Sequence, residues 1–115
     1  MKPKVYGIRN CDTMKKAFAW LEANGVPYEF HDYKKEGAPA EKLRAWAAKV
    51  GWEALANTRG PTWRRIPEDE KQDLNEARAL ALLEKNTSAI KRPIVEAGSN
   101  VLVGFAPERF AAALK

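Results

Sequence analysis

The chain has 115 residues, 45% of them hydrophobic, with 20 Lys and Arg against 15 Asp and Glu for a net charge of +5. That length suits one domain with a real core, no apolar stretch approaches the ~18 residues needed to span a membrane, and no secretory pattern follows Met1, so a soluble cytoplasmic protein is expected. A single cysteine excludes an internal disulfide, one Cys with one His cannot build a zinc site, and basic residues interspersed with acids disfavour nucleic acid as a partner.

The first predicted element is a short buried strand over residues 4–8, followed by a helix from Thr13 to Asn24 with Ala17, Phe18, Trp20 and Leu21 on its apolar side. Asn24-Gly25 stops that helix and Pro27 reinforces the stop. From Tyr28 to Tyr33 the pattern has period two, with Tyr28, Phe30 and Asp32 on one face and Glu29, His31 and Tyr33 on the other. If the two strands of this strand-helix-strand unit are parallel neighbours, the crossover is right-handed and a site belongs at the carboxyl end of the first strand.

A polar connection over 34–37 leads into Leu43, Trp46, Ala47 and Val50, the spacing of an amphipathic helix that Gly51 ends. Residues 52–56 read as a short helical turn, 57–62 as a loop, and the Ala/Leu-rich run from Glu76 to Lys85 as a further helix, so a helical insert at about 38–88 interrupts a single domain. The acidic run Glu68-Asp69-Glu70 suits a helix start. Residues 93–96 and 101–103 then predict two strands joined by a hairpin-length loop, Ala97 to Asn100, and Pro107-Glu108 opens a last helix with Phe110 and Leu114 on its core side. The fold class is α/β, ordered βαβ, helical insert, ββα.

Cys11 lies where the first strand stops and the first helix starts. Unpaired amides and the macrodipole at a helix N-terminus stabilise a thiolate, and a thiol whose pKa is lowered to about 6 is mostly ionised at neutral pH. Asn10 and Asp12 flank it as polar loop residues, and Lys15 and Lys16 fall in the first helical turn, where the dipole disfavours cations unless an anion is nearby. The other conspicuous side chains have packing readings: His31 is structural on the second strand, Trp46 and Trp52 pack the core or insert, and Trp20 and Trp63 have room to reach the surface, although a large aromatic is most often hydrophobic payload.

The opening strand-loop-Cys-helix, the run Lys91-Arg92-Pro93-Ile94-Val95 before a hairpin, Gly104-Phe105 before a terminal helix and the basic segment Thr58 to Arg65 together resemble the ArsC/Spx-related thioredoxin-fold family, in particular its YffB-like branch. The resemblance covers nearly the whole chain and implies a thioredoxin-like fold. It matches Cys11 to the catalytic cysteine, Arg92 to an arginine that binds an oxyanion or stabilises the thiolate, Pro93 to a cis proline, and Arg59 to the region of a second functional arginine.

Two departures from the family shape the expected activity. Phe105 stands where arsenate reductases carry an arginine, which argues against arsenate as substrate, and Cys11-Asp12-Thr13-Met14 lacks the second cysteine of the Cys-x-x-Cys switch found in Spx-type regulators. A mixed disulfide on Cys11 then needs an external thiol, and glutathione is the expected co-substrate, with no cofactor held by the protein. On this reading Thr13 donates a hydrogen bond to the sulfur, and Asn10, Lys15, Lys16, Arg59 and Pro93 contact glutathione, Arg being suited to bidentate carboxylate binding. The partners are glutathione and a small oxidised or disulfide substrate; the alternative function is an Spx-like, non-enzymatic adaptor that binds RNA polymerase.

Overall fold

The computed structural model describes residues 2–115. It divides into two compact units, one formed by the chain up to Glu36 together with Arg92–Lys115 and the other by Gly37–Lys91.

The first unit is a four-stranded sheet with helices. Its strands are β1 (Lys4–Gly7), β2 (Glu29–Asp32), β3 (Ile94–Ala97) and β4 (Asn100–Val103), in spatial order β2-β1-β3-β4. β1 runs parallel to β2 and antiparallel to β3, which is in turn antiparallel to β4. Helix α1 (Asp12–Ala23) is the crossover between the parallel pair, and α7 (Pro107–Leu114) closes the chain. Val5 pairs with Phe30 on one side and Val95 on the other, so one sheet face presents an apolar row. Met14, Ala17 and Leu21 of α1 recur at helical spacing, and they join Val5, Val95 and Phe110 in a fully buried core. Burial of each large side chain there contributes about 1.5–3 kcal/mol.

Three local expectations are revised in this unit. Tyr33 does not extend β2; it opens a short helix, α2 (Tyr33–Glu36), because the Asp32 carboxylate accepts the Lys34 N–H at 2.9 Å and turns the backbone out of the sheet. The connection expected over 34–37 is therefore mostly helical. The hairpin loop is tighter than expected, since Ala97 pairs with Asn100 and only Gly98 and Ser99 form the turn. Gly98 takes φ 62°, at the first central position where a II′ turn needs glycine.

The second unit is helical: α3 (Ala40–Val50), α4 (Trp52–Leu55), α5 (Pro61–Arg65) and α6 (Glu76–Lys85), with 3₁₀ turns at Glu68–Lys71 and Thr87–Ala89. Leu43, Trp46, Leu55, Leu83 and Ile90 are its largest fully buried side chains. Pro61 at the first helical position shortens the expected loop, and Glu68–Lys71 is a 3₁₀ turn, with α6 capped separately by Asn75, whose side chain accepts the Arg78 N–H at 2.9 Å. Trp63 packs as hydrophobic payload, 8% exposed. Lys71 explains part of this, since its Nζ donates to the Trp63 carbonyl at 3.1 Å and lies 5.9 Å from the ring centroid. No helix among the described residues is long and apolar enough to cross a membrane.

Candidate active site

The thiol is placed by the junction of β1 and α1. β1 ends at Gly7, where a Cβ would come within 2.6 Å of the Met14 sulfur, so the bare glycine lets the first turn of α1 lie against the end of the strand. Ile8 is buried, Arg9 and Asn10 are exposed, and a tight turn closes as the Cys11 N–H donates to the Arg9 carbonyl at 3.1 Å. Cys11 is the N-cap of α1, with extended dihedrals of φ −147° and ψ 132°, and its carbonyl accepts the Lys15 N–H at 2.9 Å. Cap position and partial burial follow from the same local geometry.

Several opposed influences set the state of this sulfur, and their sum holds the thiol below its ordinary pKa. Burial is the largest and pushes the thiol up. The Met14 N–H, a hydrogen bond from the Arg92 side chain, the Thr13 N–H and the positive charge of Arg92 act in the other direction and together prevail. Amides of a first helical turn have no intrahelical acceptor, so those of Thr13 and Met14 are available to favour the charged sulfur.

Arg92 comes from the far end of the chain. It is half-buried and precedes β3, whose Ile94 pairs with Tyr6, so the sheet register carries the residue before Pro93 to the carboxyl end of β1. The Arg92-Pro93 peptide is cis, Pro93 is fully buried, and its carbonyl accepts the Gly104 N–H at 2.8 Å, which ties the start of β3 to the end of β4.

Cys11, Thr13 and Arg92 are thus brought together, and Thr13 acts on the sulfur through its backbone. Its side chain is exposed at the second helical position, the cap role belongs to Cys11, and the backbone N–H of Thr13 is what favours the thiolate. Asn10, Lys15 and Lys16 are exposed around the loop and first turn. Arg59 belongs to the second unit, exposed ahead of α5. Phe105 packs edge-on against Phe110 with ring centroids 5.0 Å apart, so the side chain expected to replace an arginine is partly buried against the core.

Tyr33 is a feature that the sequence reading missed. It is 2% exposed, and its hydroxyl has no hydrogen-bond partner among the described residues. Burial first, then the Tyr6 hydroxyl, drive its pKa far above the ordinary range, with Arg92 opposing and Glu96 adding to the rise. Tyr6 donates to Glu96 at 3.0 Å, and His31 packs between the tyrosines, 5.0 Å from the Tyr6 ring and 6.2 Å from that of Tyr33. The only advance signal was the period-two alternation, which puts His31 on the sheet face opposite Phe30.

Comparison with known proteins agrees with this architecture. The model of the ArsC family matches residues 6–113. The solved structure of a YffB protein superposes with a TM-score of 0.96 at 48% identity, over 99% of this chain and 100% of that one. A solved arsenate reductase (ArsC) related protein from Brucella melitensis has a TM-score of 0.77 at 46% identity, over 97% of this chain and 93% of that one. An uncharacterized protein of Haemophilus influenzae is 39% identical over 109 residues, covering 95% of this chain and 96% of its own. The chain has the thioredoxin-like fold and belongs to the ArsC family.

Proposed function

We propose that the protein is a glutathione-dependent thiol reductase with Cys11 as its nucleophile. The observation that carries this reading is the half-buried sulfur at the N-cap of α1, whose pKa is lowered by the Met14 and Thr13 amides and by Arg92 against the opposing effect of burial. Membership of the ArsC family supports a thiol-based reductase. The chain has one cysteine, so a covalent intermediate on it is resolved by a thiol from outside.

The steps balance as follows. The Cys11 thiolate attacks the glutathione sulfur of a mixed disulfide R–S–S–G; the old S–S bond breaks, R–S⁻ leaves and takes a proton from solvent, and Cys11–S–S–G remains. A glutathione thiolate then attacks the glutathione sulfur of that adduct, releasing the Cys11 thiolate and oxidised glutathione. Two glutathione thiols, one from the mixed disulfide and one free, end as one disulfide, and R–S–H is the reduced product. The lowered pKa of Cys11 serves both steps, as nucleophile in the first and as leaving group in the second. Arg92 stabilises the anion at both moments.

The test is mass spectrometry of the purified protein after incubation with oxidised glutathione. One glutathione equivalent is expected on the wild type and none on Cys11→Ser. A pH-rate profile for alkylation of Cys11 that matches an ordinary free thiol defeats the reading. RNA polymerase captured by the protein and undiminished by Cys11→Ser is the result that the adaptor alternative requires.

A further inference from the structure

A second guanidinium is built into the loop before Cys11. Arg9 is exposed, and its Cζ lies 4.9 Å from the centroid of the Phe30 ring. That ring is itself held: Phe18 meets it edge-on at 5.1 Å, and Phe18 stacks on Tyr28 at 5.5 Å. Among the described residues the Arg9 guanidinium has no carboxylate or carbonyl partner, so aromatic contact alone fixes it. The cation lies over a ring face, and an exposed guanidinium carries N–H donors of the kind that bind a carboxylate bidentately. The Arg9 carbonyl meanwhile accepts the Cys11 N–H at 3.1 Å, so the backbone that carries this cation is pinned to the backbone that carries the sulfur.

The sheet places the two arginines on different sides of β1. Arg92 precedes β3, the antiparallel neighbour, whereas Arg9 lies over Phe30 of β2, the parallel neighbour. Arg92 acts directly on the thiol, as its effect on the Cys11 pKa records; Arg9 is not among the groups that shift it. One guanidinium thus serves the sulfur, and the other is carried by the loop that leads into Cys11.

Resting on the reductase reading above, we infer that Arg9 is a specificity-determining residue, which selects disulfides of carboxylate-bearing thiols by binding the carboxylate of the half that becomes joined to Cys11. In that step the Cys11–S–S–R bond forms as the R–S–S–R bond breaks, and R–S⁻ leaves. A charge-assisted hydrogen bond to an exposed, pre-placed guanidinium is worth about a tenfold preference at low salt, and screening weakens it.

The experiment measures the rate of mixed-disulfide formation on Cys11 with 3,3′-dithiodipropionate, bis(2-hydroxyethyl) disulfide and cystamine, which are anionic, neutral and cationic. For the wild type, the anionic-to-neutral rate ratio is expected to exceed that of free cysteine by about tenfold at low salt and to shrink in 0.5 M salt. In Arg9→Gln the ratio falls about tenfold and the cationic-to-neutral ratio rises; Arg9→Lys recovers only part of the anionic preference. An anionic-to-neutral ratio unchanged by Arg9→Gln overturns the inference while leaving the reductase reading standing. A wild-type Cys11 no faster than free cysteine with all three disulfides overturns the reading, and the inference with it.

Discussion

The two units are held together by different means. Around Cys11 the decisive contacts are made at the level of the backbone: a strand end without a Cβ receives Met14, amides of a first helical turn face a sulfur, and β3 delivers Arg92 through a ladder that joins opposite ends of the chain. Between Gly37 and Lys91 the helices are short, and large side chains such as Leu43, Trp46, Leu55 and Leu83 fill the interior. The chemistry therefore depends on positions where even one added methyl is too many, and the helical unit on positions where volume must not be lost.

Removing volume from the helical unit gives the largest expected effect. Leu83→Ala empties a fully buried site and is expected to cost about 2–5 kcal/mol in denaturant unfolding. The pH-rate midpoint for alkylation of Cys11 in the folded variant is expected to stay where it is. A shift of that midpoint would break the contrast between the units.

Adding volume at the site sharpens it. In Gly7→Ala the new methyl meets the far end of the fully buried Met14 side chain, which must shift to admit it. Overpacking of this kind costs about 1–3 kcal/mol. The first turn of α1 is displaced, and the Met14 amide with it, so the thiol titrates at higher pH than in the wild type. Unfolding and alkylation profiles measured on one preparation check both parts, and a loss of stability without any change in the thiol would disconnect the glycine from the site.

Local pattern in the sequence made much of this frame legible. Ala17, Phe18, Trp20 and Leu21 mark α1, although its fully buried face is Met14, Ala17 and Leu21; Asn24-Gly25 marks its end, and the polar run after Ile8 marks the junction that Cys11 caps. Arg92 entered only through family resemblance, since nothing near residue 92 announces a partner at residue 11; the antiparallel register of β1 and β3 makes that contact. The stack of Arg9 on Phe30 likewise needs the parallel pairing of β1 with β2. A hydrogen bond from Thr13 to the sulfur was legible, but that the backbone amide supplies it needs the geometry of the helix start. Tyr33 escaped altogether, because a polar neighbourhood of Asp32, Lys34 and Lys35 gives no sign that one ring among them is sealed from solvent.

That buried ring supplies a smaller test. Its hydroxyl is without a partner, so Tyr33→Phe removes a desolvation cost and is expected to stabilise the first unit by about 1 kcal/mol. The sign of the alkaline response follows from the raised pKa. Above the ordinary tyrosine value of about 10, the unfolded chain loses a proton that the folded chain keeps, so wild-type stability falls as pH rises and Tyr33→Phe is spared this contribution. A destabilised Tyr33→Phe would mean that the hydroxyl has a bonding role.

The smallest expected effect is the contribution of the thiol itself to stability. Because the Cys11 pKa is lowered in the fold, the folded protein holds the sulfur as an anion in a range where the unfolded chain keeps it protonated. Stability from this source is complete above the unfolded thiol value of about 8.5 and is lost as pH falls through the folded value. The stability difference between wild type and Cys11→Ser, measured by urea unfolding across that window, is therefore expected to grow with pH in favour of the wild type and to level off above it. Arg92→Gln removes a hydrogen bond and a charge that favour the anion, so the window narrows from below and the slope is confined to higher pH. The same unfolding series on Leu83→Ala should retain the wild-type window despite its much lower baseline, because the groups that lower the thiol pKa all belong to the first unit. If the window moved with Leu83→Ala and not with Arg92→Gln, the anion would depend on helical packing rather than on the guanidinium beside it.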